Sequence, residues 1–555
     1  MGTDIKSKTL VEHVEDISST DLKIETHQSE ADLKDRARIA ADEQHEMTLS
    51  EAWKDHKPAM LWSIVLGATI IMEGYDCILT SSFYAYPQFK KVFGDQIVAK
   101  DGSISYELAT RWQIGLGCAS TVGTMIGVFF NGYLAERFGH RMVILVSLTF
   151  MAGFLFIVFF AKTIEVLLVG QILCGIPWGI FATMGISYAS EILPLQLRGY
   201  LTSIINLYWA TGQFVAAGAL QALVNNDTKW SYKIPYGLQW MWIPPLFIMT
   251  LLAPDSPWYL IRKGKIEQAE KSIKRLGSKR IADKSKTTLA LMIHTNKLEK
   301  EQQLANLEST SGWKGYIQCF QGVNLRRTEI VCIAFAGQVL SGSTFAYSPS
   351  YFFSQAGLNS SETYKLNLGT TAIAFSGTVC SWFLLARFGR RTIYVTGFAF
   401  LVLFLFLIGV LAKPAESNGT VKWVQCGLTM LWVSTYALTI GPLAFTISAE
   451  MSATRIRSQS VCLARNSYNL VNLISYIVEP YLINPGSANL RGKTAFVWFA
   501  TALPTFIWSY YRLPETRNRT YEELDLLFEK RVPARQFASY DLYSGDTSEI
   551  EKFEE

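Results

Sequence analysis

The sequence predicts an all-α membrane protein with twelve transmembrane helices arranged as two six-helix halves. Three observations support this fold class: a low content of charged residues, a series of long apolar runs, and short motifs that recur in the second half of the chain. Half of the 555 residues are hydrophobic and 17% are charged, whereas a typical soluble domain contains about 25% charged residues. A single large soluble core would not divide into regular runs separated by short polar segments.

Each apolar run is long enough to cross a membrane. A bilayer core about 30 Å thick requires roughly 20 apolar residues in a helix. The predicted spans are, in order, Met60–Phe83, Gln113–Ala135, Val143–Ala161, Val166–Tyr188, Leu201–Val224, Leu238–Ala253, Ile330–Ser354, Leu366–Ala386, Ile393–Ala412, Val424–Ser448, Val461–Ile483 and Thr494–Tyr511.

The basic residues predict the orientation. Residues 254–328, between spans six and seven, include fifteen Lys or Arg residues, and the arginines after spans two, four, eight and ten fall on the same side. Because basic residues tend to stay in the cytoplasm, we expect this loop and both termini to be cytoplasmic. The predicted regions are an N-terminal tail (1–59), a first half (60–253), a central loop (254–328), a second half (329–512) and a C-terminal tail (513–555).

Glycosylation sequons agree with this orientation. Asn226, Asn359 and Asn418 each begin an Asn-X-Ser/Thr sequence in a segment predicted to be external, where such sites are accessible to glycosylation. The sequon at Asn518 falls on the predicted inner side and should remain unmodified.

No motif indicates an enzyme. The eight cysteines lack metal-binding spacing, and no phosphate-binding loop or catalytic constellation is present. We therefore expect no cofactor, no metal site and no nucleic-acid partner.

An internal repeat divides the chain into two halves. Arg137 after span two matches Arg387 after span eight, at an offset of 250 residues. Glu191 after span four matches Glu450 after span ten, at an offset of 259, and Pro254 matches Pro514 at 260. Three motifs that recur in the same order predict two six-span halves in parallel repeat, with a binding site between them near mid-membrane.

These motifs also resemble a known family. The sequence Gly132-Tyr-Leu-Ala-Glu-Arg-Phe-Gly-His-Arg141, its counterpart Arg387-Phe-Gly-Arg-Arg391, and the Pro-Asp-Ser-Pro and Pro-Glu-Thr sequences resemble the sugar porter family of the major facilitator superfamily. Met72-Glu-Gly-Tyr-Asp76 resembles the branch of fungal maltose permeases and general α-glucoside:proton symporters. The resemblance implies a monomer in the plasma membrane that takes up a sugar together with a proton.

Two carboxylates in span one are candidates for proton coupling. Ionisable groups inside a span are costly and tend to line substrate or proton paths. Glu73 and Asp76 are three residues apart, so they share one face of the helix. In the alternative interpretation, either acid only holds Arg465 of span eleven in a fixed ion pair. The resemblance favours Asp76 as the proton acceptor.

The sequence departs from the common proton-coupled pattern at two positions. Gln171 stands where many proton-coupled relatives carry an Arg in span four, and Thr124 stands where α-glucoside relatives carry an acid in span two. Facilitated diffusion of a hexose or polyol therefore remains an alternative, as does a sugar receptor that does not transport.

Stripes of amide and hydroxyl side chains are candidates for sugar binding, because they both donate and accept hydrogen bonds. They lie in spans five, seven and eleven and comprise Asn206 and Gln213; Gln338, Ser341 and Thr344; and Arg465, Asn466 and Asn469. The alternative is hydrogen bonding between packed helices. Val339 and Ile440 replace a Gln and a Trp of the family pattern, and their loss favours a substrate larger than a hexose.

Charged residues on the inner side are candidates for a gate that joins the halves when the site faces outward. This set comprises Arg137, Arg141, Glu191, Arg198, Arg387, Arg391, Glu450 and Arg457. Ala386 occupies an acidic position of the family pattern, so the predicted gate is asymmetric. The alternative is that the arginines only retain the loops in the cytoplasm.

Overall fold

Twelve helical spans occupy the twelve predicted positions. The structure is a computed structural model that describes residues 47–84, 86–98, 104–305, 314–347, 360–453, 456–483, 488, 490–517, 519 and 521–540. Eight spans are long and apolar enough to cross a membrane by length and composition: Lys57–Phe83, Thr110–Phe138, His140–Phe159, Ile164–Ile192, Gly322–Ala346, Glu362–Arg387, Arg390–Ala415 and Gly419–Met451. These are spans one to four and seven to ten.

Of the other four spans, five, eleven and twelve are less apolar, and span six is divided into short helices. Spans five and eleven are the continuous helices Leu195–Leu223 and Arg457–Ile483, and span twelve is Thr494–Arg512. Spans five and eleven carry the predicted polar stripes on faces that point into the bundle. Burial between helices, rather than contact with lipid, explains how these polar sequences remain within the membrane domain.

The prediction for span six was wrong at its start. This span consists of two helices, Trp230–Leu238 and Ile243–Leu252, joined by the 3₁₀ turn Gln239–Met241. It therefore begins eight residues before the predicted Leu238. The first helix contains Lys233 and Pro235, which interrupt the apolar run, but the Pro235 carbonyl accepts a hydrogen bond from Tyr75 that fixes this helix against span one (2.9 Å).

Three further spans are interrupted. Span one consists of Lys57–Gly67 and Ile70–Phe83, and span ten of Gly419–Leu438 and Ile440–Met451. Span seven consists of Gly322–Leu340 and the short helix Ser343–Tyr347; the predicted continuation to Ser354 lies outside the described residues. All three breaks are buried, with Thr69, Ser341 and Thr439 at 0%, 0% and 8% exposed, and irregular backbone is tolerated there because it is enclosed by protein.

Glycines allow two spans to pack backbone against backbone. A Cβ atom at Gly74 of span one would overlap the Trp209 carbonyl of span five, and one at Gly212 would overlap the Ile71 carbonyl. The two backbones can approach this closely only because both positions lack a side chain. This contact places Glu73 and Asp76 in the centre of the bundle.

The outer faces of the bundle are apolar. Phe150 of span three, Phe383 of span eight and Phe400 of span nine are all more than half exposed, Phe383 by 72%. Large exposed apolar surfaces mark membrane contact or protein interfaces. Their position on the outer faces of the spans fits contact with lipid chains.

The segment between the halves folds separately at one end of the bundle, here called the linker end. It contains the helices Pro257–Arg262, Ile266–Leu276, Lys279–Asp283 and Ser285–Ala305. The first, second and fourth of these pack around a small core that includes Leu260, Ile273 and Leu289. The helix Leu49–Asp55 before span one also joins this unit, because the Asp55 carbonyl accepts a hydrogen bond from the Ser278 amide (2.7 Å).

A strand pair at the opposite end was not predicted. After span one, the helix Pro87–Phe93 leads into the strands β1 (Asp95–Val98) and β2 (Ile104–Glu107). The strands pair antiparallel, with Asp95 opposite Glu107 and Val98 opposite Ile104. This hairpin connects spans one and two.

Candidate functional site

An ion pair connects the two halves at the centre of the bundle. The Arg465 guanidinium of span eleven donates a hydrogen bond to the Glu73 carboxylate of span one. The two side chains are 6% and 12% exposed. The Arg465 guanidinium also lies over the Tyr468 ring, 4.6 Å from its centre, where the negative face of the ring attracts the cation.

The pair retains unused hydrogen-bonding capacity. The second carboxylate oxygen of Glu73 and the Nε of Arg465 are buried and have no hydrogen-bond partner within the described part of the chain. Leaving such atoms unpaired costs about 1–3 kcal/mol each, and more for charged groups. A ligand that supplies hydroxyl groups at this position would satisfy both atoms.

Asp76 has a different environment, although it shares a helix face with Glu73. The Gln239 amide of span six donates to its carboxylate at 3.0 Å, and the Thr80 hydroxyl donates at 3.3 Å. The Gln171 amide also faces this carboxylate, but neither its nitrogen nor its oxygen has a hydrogen-bond partner among the described residues. Asp76 is therefore buried, at 3% exposed, among neutral groups rather than beside a cation.

Two cavities border this acidic centre. The first is lined by Ile70, Glu73, Ala182, Asn206, Trp209, Gln338, Tyr436, Phe445, Arg465 and Tyr468. The second is lined by Glu73, Asp76, Cys77, Thr80, Ser81, Tyr84, Gly117, Ser120, Thr121, Thr124, Trp178, Trp209, Tyr468, Asn469, Asn472 and Tyr476. They share Glu73, Trp209 and Tyr468, so the carboxylate of the ion pair borders both cavities.

The family model described as "Sugar (and other) transporter" matches residues 62–528. This chain belongs to the sugar transporter family. The resemblance predicted from its motifs is thereby confirmed, and the chain is a membrane transporter rather than an enzyme.

Two relatives from Saccharomyces cerevisiae match most of the chain. The general alpha-glucoside permease is 37% identical over 517 residues, which cover 92% of this chain and 82% of the permease. The maltose permease MAL61 is 36% identical over 519 residues, with the same coverage of each chain.

Solved structures confirm the fold. The major facilitator superfamily proton:xylose symporter XylE, bound to 6-bromo-6-deoxy-D-glucose, matches with a TM-score of 0.68 at 17% identity and covers 85% of this chain and 98% of its own. A partially occluded inward-open structure of XylE from E. coli matches with a TM-score of 0.62 at 16% identity and covers 82% and 98%. The predicted major facilitator fold of this transporter is thus confirmed.

Several predicted polar residues of this sugar transporter line the cavities. Asn206 and Gln338 line the first cavity, and Asn469 lines the second. Asn206 donates to the Thr378 hydroxyl of span eight at 3.2 Å, and Gln338 donates to the Gly441 carbonyl of span ten at 2.8 Å. Both amides are therefore oriented by contacts between helices and keep their oxygens as possible acceptors.

Other predicted sugar contacts lie outside both cavities. The Ser341 hydroxyl donates to the Gln338 carbonyl of its own helix at 2.8 Å, and Asn466 accepts a long hydrogen bond from Asn469 at 3.5 Å. Gln213 and Thr344 are buried, and their polar side-chain atoms have no hydrogen-bond partner among the described residues. Sugar binding by these four residues stays a prediction.

The sequence analysis missed the aromatic walls and one polar partner. Trp209, Tyr436, Phe445, Tyr468 and Tyr476 line the cavities, and flat apolar surfaces of this kind suit the C–H faces of pyranose rings. Helical spacing could have identified two of these aromatic residues, because Trp209 follows Asn206 by three residues and Tyr468 follows Arg465 by three. No local signal marked Gln239, which meets Asp76 from 163 residues away.

The two departures from the family pattern lie next to the acids. Thr124 lines the second cavity with Asp76, and Gln171 faces the Asp76 carboxylate. The two positions at which relatives carry a charged residue therefore lie beside Asp76. At both of them this chain has a neutral side chain.

The charges at the linker end repeat the same contacts in both halves. Glu191 accepts hydrogen bonds from the Ser256 hydroxyl and from Arg262 (2.6 Å). Its counterpart Glu450 accepts from the Thr516 hydroxyl (2.5 Å) and from Arg390 (3.0 Å). The sequence repeat is therefore accompanied by a repeated hydrogen bond, in which Ser256 and Thr516 donate to the corresponding glutamates.

Two arginines of the predicted gate hold a neighbouring helix of their own half. Arg141 donates to the Leu251 carbonyl of span six, and its counterpart Arg391 donates to the Tyr510 carbonyl of span twelve at 2.7 Å. Beside Arg141, burial raises the pKa of the Asp255 carboxyl above its ordinary value, and the Arg141 charge opposes that shift.

The described contacts of Arg387 and Arg137 do not cross the halves. The Arg387 carbonyl accepts from Arg517 at 2.6 Å, and the Arg137 guanidinium donates to the Tyr133 hydroxyl at 2.5 Å. Arg457 is buried, and the Arg198 side chain lies outside the described part. Glu191 pairs with Arg262 of the linker and Glu450 with Arg390 of its own half, so pairing across the halves stays a prediction for another conformation.

Two of the three predicted glycosylation sites can be located. At the end of the bundle opposite the linker, Asn226 is half-buried and Asn418 is exposed. The side-chain oxygen of Asn226 accepts from the Thr228 hydroxyl at 2.8 Å, and that of Asn418 accepts from the Thr420 backbone amide at 3.0 Å. Asn359 lies outside the described residues.

Proposed function

We propose that this transporter carries an α-glucoside such as maltose into the cell together with a proton. The observation that supports this most is the ion pair between Glu73 and Arg465, which links the halves and keeps two buried polar atoms unsatisfied. Glu73 lines both cavities and Arg465 lines the first. A sugar hydroxyl that both donates and accepts can bridge these two atoms. Binding would then act directly on the contact between the halves.

The two adjoining cavities and their walls support a substrate with more than one sugar ring. Ligand pockets are lined mainly by apolar and aromatic side chains with a few well-placed polar groups, and both cavities have walls of this kind. Trp209 and Tyr468 border both. One ring in each cavity, with the linkage beside these aromatics, is the arrangement we propose for a disaccharide. The names of the yeast relatives, an alpha-glucoside permease and a maltose permease, support the same substrate class.

Asp76 is the proposed proton carrier. Its carboxylate is buried among Gln239, Thr80 and Gln171 without a cation, and a carboxylate in such surroundings exchanges its charge for a proton more readily than one held by an arginine. Glu73, which is held by Arg465, is the proposed link between sugar binding and the movement of the halves. The proton:xylose symporter in the structural comparison shares the fold, which is compatible with this division of roles.

Transport by alternating access requires both ends of the interface to open in turn. At the end opposite the linker, the Tyr364 hydroxyl of span eight donates to the Ser82 carbonyl of span one at 2.7 Å. At the linker end, Val128 of span two packs with Cys462 of span eleven. Both ends are therefore in contact in this structure, and each opening must separate one of these contacts.

The orientation completes the proposal. The fifteen basic residues of 254–328 support a cytoplasmic position for the linker end, and with it for both termini, of a plasma-membrane protein. Asn226, Asn359 and Asn418 would then be external and open to glycosylation. The predicted division at 60–253 and 329–512, and a monomeric state, belong to the same proposal.

Uptake by transporter-null cells tests the function. Maltose, trehalose, sucrose, isomaltose, glucose and a polyol would be supplied in turn while external pH is recorded. The proposal expects accumulation of one or more α-glucosides with alkalinisation of the medium. Equilibration without a pH change would identify a facilitator, and binding without flux would identify a sugar receptor. Either result would refute symport.

A further inference from the structure

A third buried carboxylate lies beyond the second cavity. Glu479 of span eleven is 7% exposed and follows Arg465 and Asn472 at intervals of seven residues. Because seven residues make about two helical turns, the three side chains share one face of the helix. Asn472 lines the second cavity, so Glu479 lies two turns further toward the end opposite the linker.

This carboxylate has no cation beside it. One of its oxygens is buried and lacks any hydrogen-bond partner among the described residues. The group that faces it from span seven is the neutral hydroxyl of Thr344, and no charged side chain of the described elements packed around it interacts with it electrostatically. Glu73 has Arg465 as its partner, whereas Glu479 has none.

Span seven is interrupted, and span eleven loses one backbone hydrogen bond, where the two helices meet at this carboxylate. Span seven breaks at Gly342, whose φ of +90° lies in the left-handed region, and Thr344 lies on the short helix Ser343–Tyr347 beyond that break. Span eleven contains Pro480 directly after Glu479. Proline has no backbone N–H, so the Tyr476 carbonyl loses its usual helical donor. The short helix beyond the break and a carbonyl without its helical donor thus flank Glu479.

The charge state of Glu479 determines whether these segments fit together. An isolated carboxylate removed from water without a partner costs several kcal/mol, and proteins commonly neutralise such a group instead. A protonated carboxyl donates one O–H and can pair with the Thr344 hydroxyl or the Tyr476 carbonyl. The ionised form needs water, which can reach it only when the short helix of span seven moves away.

We propose that Glu479 is a second proton-binding site of this transporter, and that the short helix Ser343–Tyr347 closes over it only when it carries a proton. The proton comes from water at the end opposite the linker, forms an O–H bond on the carboxylate, and returns to that water when the helix opens. This inference rests on the proposed symport and adds a protonation step to closure of the outer end.

Sugar exchange across vesicles at equal pH on both sides tests the site. Exchange requires closure but no net proton movement, and the background Asp76→Asn removes the titration of Asp76. In that background we expect exchange to fall about tenfold per pH unit at alkaline pH, as for a single proton site. Adding Glu479→Gln, which keeps the side chain neutral, should reduce the change between pH 6 and pH 8 to less than about twofold. Adding Glu479→Asp should retain the alkaline fall with a shifted midpoint.

The matched control is Glu165→Gln in the same background, because Glu165 is an exposed glutamate near the start of span four. It should leave the alkaline fall unchanged. The proposal is overturned if exchange by Asp76→Asn alone does not depend on pH, or if the fall persists after Glu479→Gln. Sugar-driven alkalinisation by the unmodified transporter is measured separately, so failure of symport and failure of the Glu479 site give different results.

Discussion

The ion pair between Glu73 and Arg465 can be divided into a structural and a functional part by removing one charge or both. The two side chains are 12% and 6% exposed. Removal of one partner from a buried pair costs about 3–5 kcal/mol, because it leaves the other charge buried and unpaired. Arg465→Gln alone and Glu73→Gln alone should each destabilise the transporter by about this amount. The double variant should be close to the parent, since replacing a whole buried pair is often nearly neutral.

Thermal unfolding of the detergent-solubilised protein measures this difference. The matched control is the pair Arg512 and Glu329, whose hydrogen bond is as short (2.5 Å) but whose side chains are 49% and 29% exposed. Exposed pairs contribute about 0–1 kcal/mol, so each single control variant should shift the unfolding temperature much less. Additive effects of the two substitutions at Glu73 and Arg465 would show that the two groups do not interact as described.

Transport by the stable double variant separates structure from function. If the pair only holds the halves together, the double variant should take up maltose at the parental rate. The proposed role of Glu73 predicts instead that uptake by the double variant falls at least about tenfold at equal surface expression. A tenfold loss corresponds to about 1.4 kcal/mol of lost contacts with the sugar and between the halves. Parental uptake by a folded double variant would refute the role of the pair in sugar coupling.

Three further predictions follow from neighbouring residues. Asp76→Asn should still exchange sugar but should no longer accumulate it. In the unmodified transporter, one proton crossing about 100 mV supplies about 2.3 kcal/mol, which supports roughly 50-fold accumulation. Accumulation by this variant in energised cells would contradict the proposal. Gly74→Ala should destabilise the bundle by about 1–3 kcal/mol, because its Cβ meets the Trp209 carbonyl, whereas Gly218→Ala meets no atom within 4 Å and should be silent in the same unfolding assay. Asp55→Ala removes the ion pair with exposed Arg280 (3.3 Å), so it should cost no more than about 1 kcal/mol and appear as faster hydrogen exchange in Leu49–Asp55; unchanged exchange would show that this contact does not hold the helix.

The fold was largely predictable because the bilayer imposes a simple rule on sequence. Each span must present about 20 apolar residues, and the runs were visible even where single polar residues interrupt them. The rule failed at the start of span six, where Lys233 and Pro235 hide the first helix. It also gave no information on the strands Asp95–Val98 and Ile104–Glu107, which lie outside the apolar runs.

The site was predictable only in part, because spacing along one helix does not reveal what faces it. The spacing of Glu73 and Asp76 placed both acids correctly at the centre, yet their partners come from span eleven and span six. Likewise, the stripe of Gln338 and Ser341 is real, but Ser341 bonds to its own helix. Gln338 reaches the Gly441 carbonyl because span ten breaks at Thr439, a break that hydropathy does not show.

The two halves keep their repeat at the linker end and lose it at the centre, and this contrast fits the proposed mechanism. At the linker end, Glu191 and Glu450 each bind a hydroxyl from the segment after the last span of their own half. These contacts fasten the end of each half to its own fourth span. At the centre, the first half supplies Glu73 and Asp76, whereas the second half supplies Arg465. The halves cannot separate at the centre without changing the Glu73–Arg465 contact, so a ligand that binds to this pair acts at a point where the halves are joined.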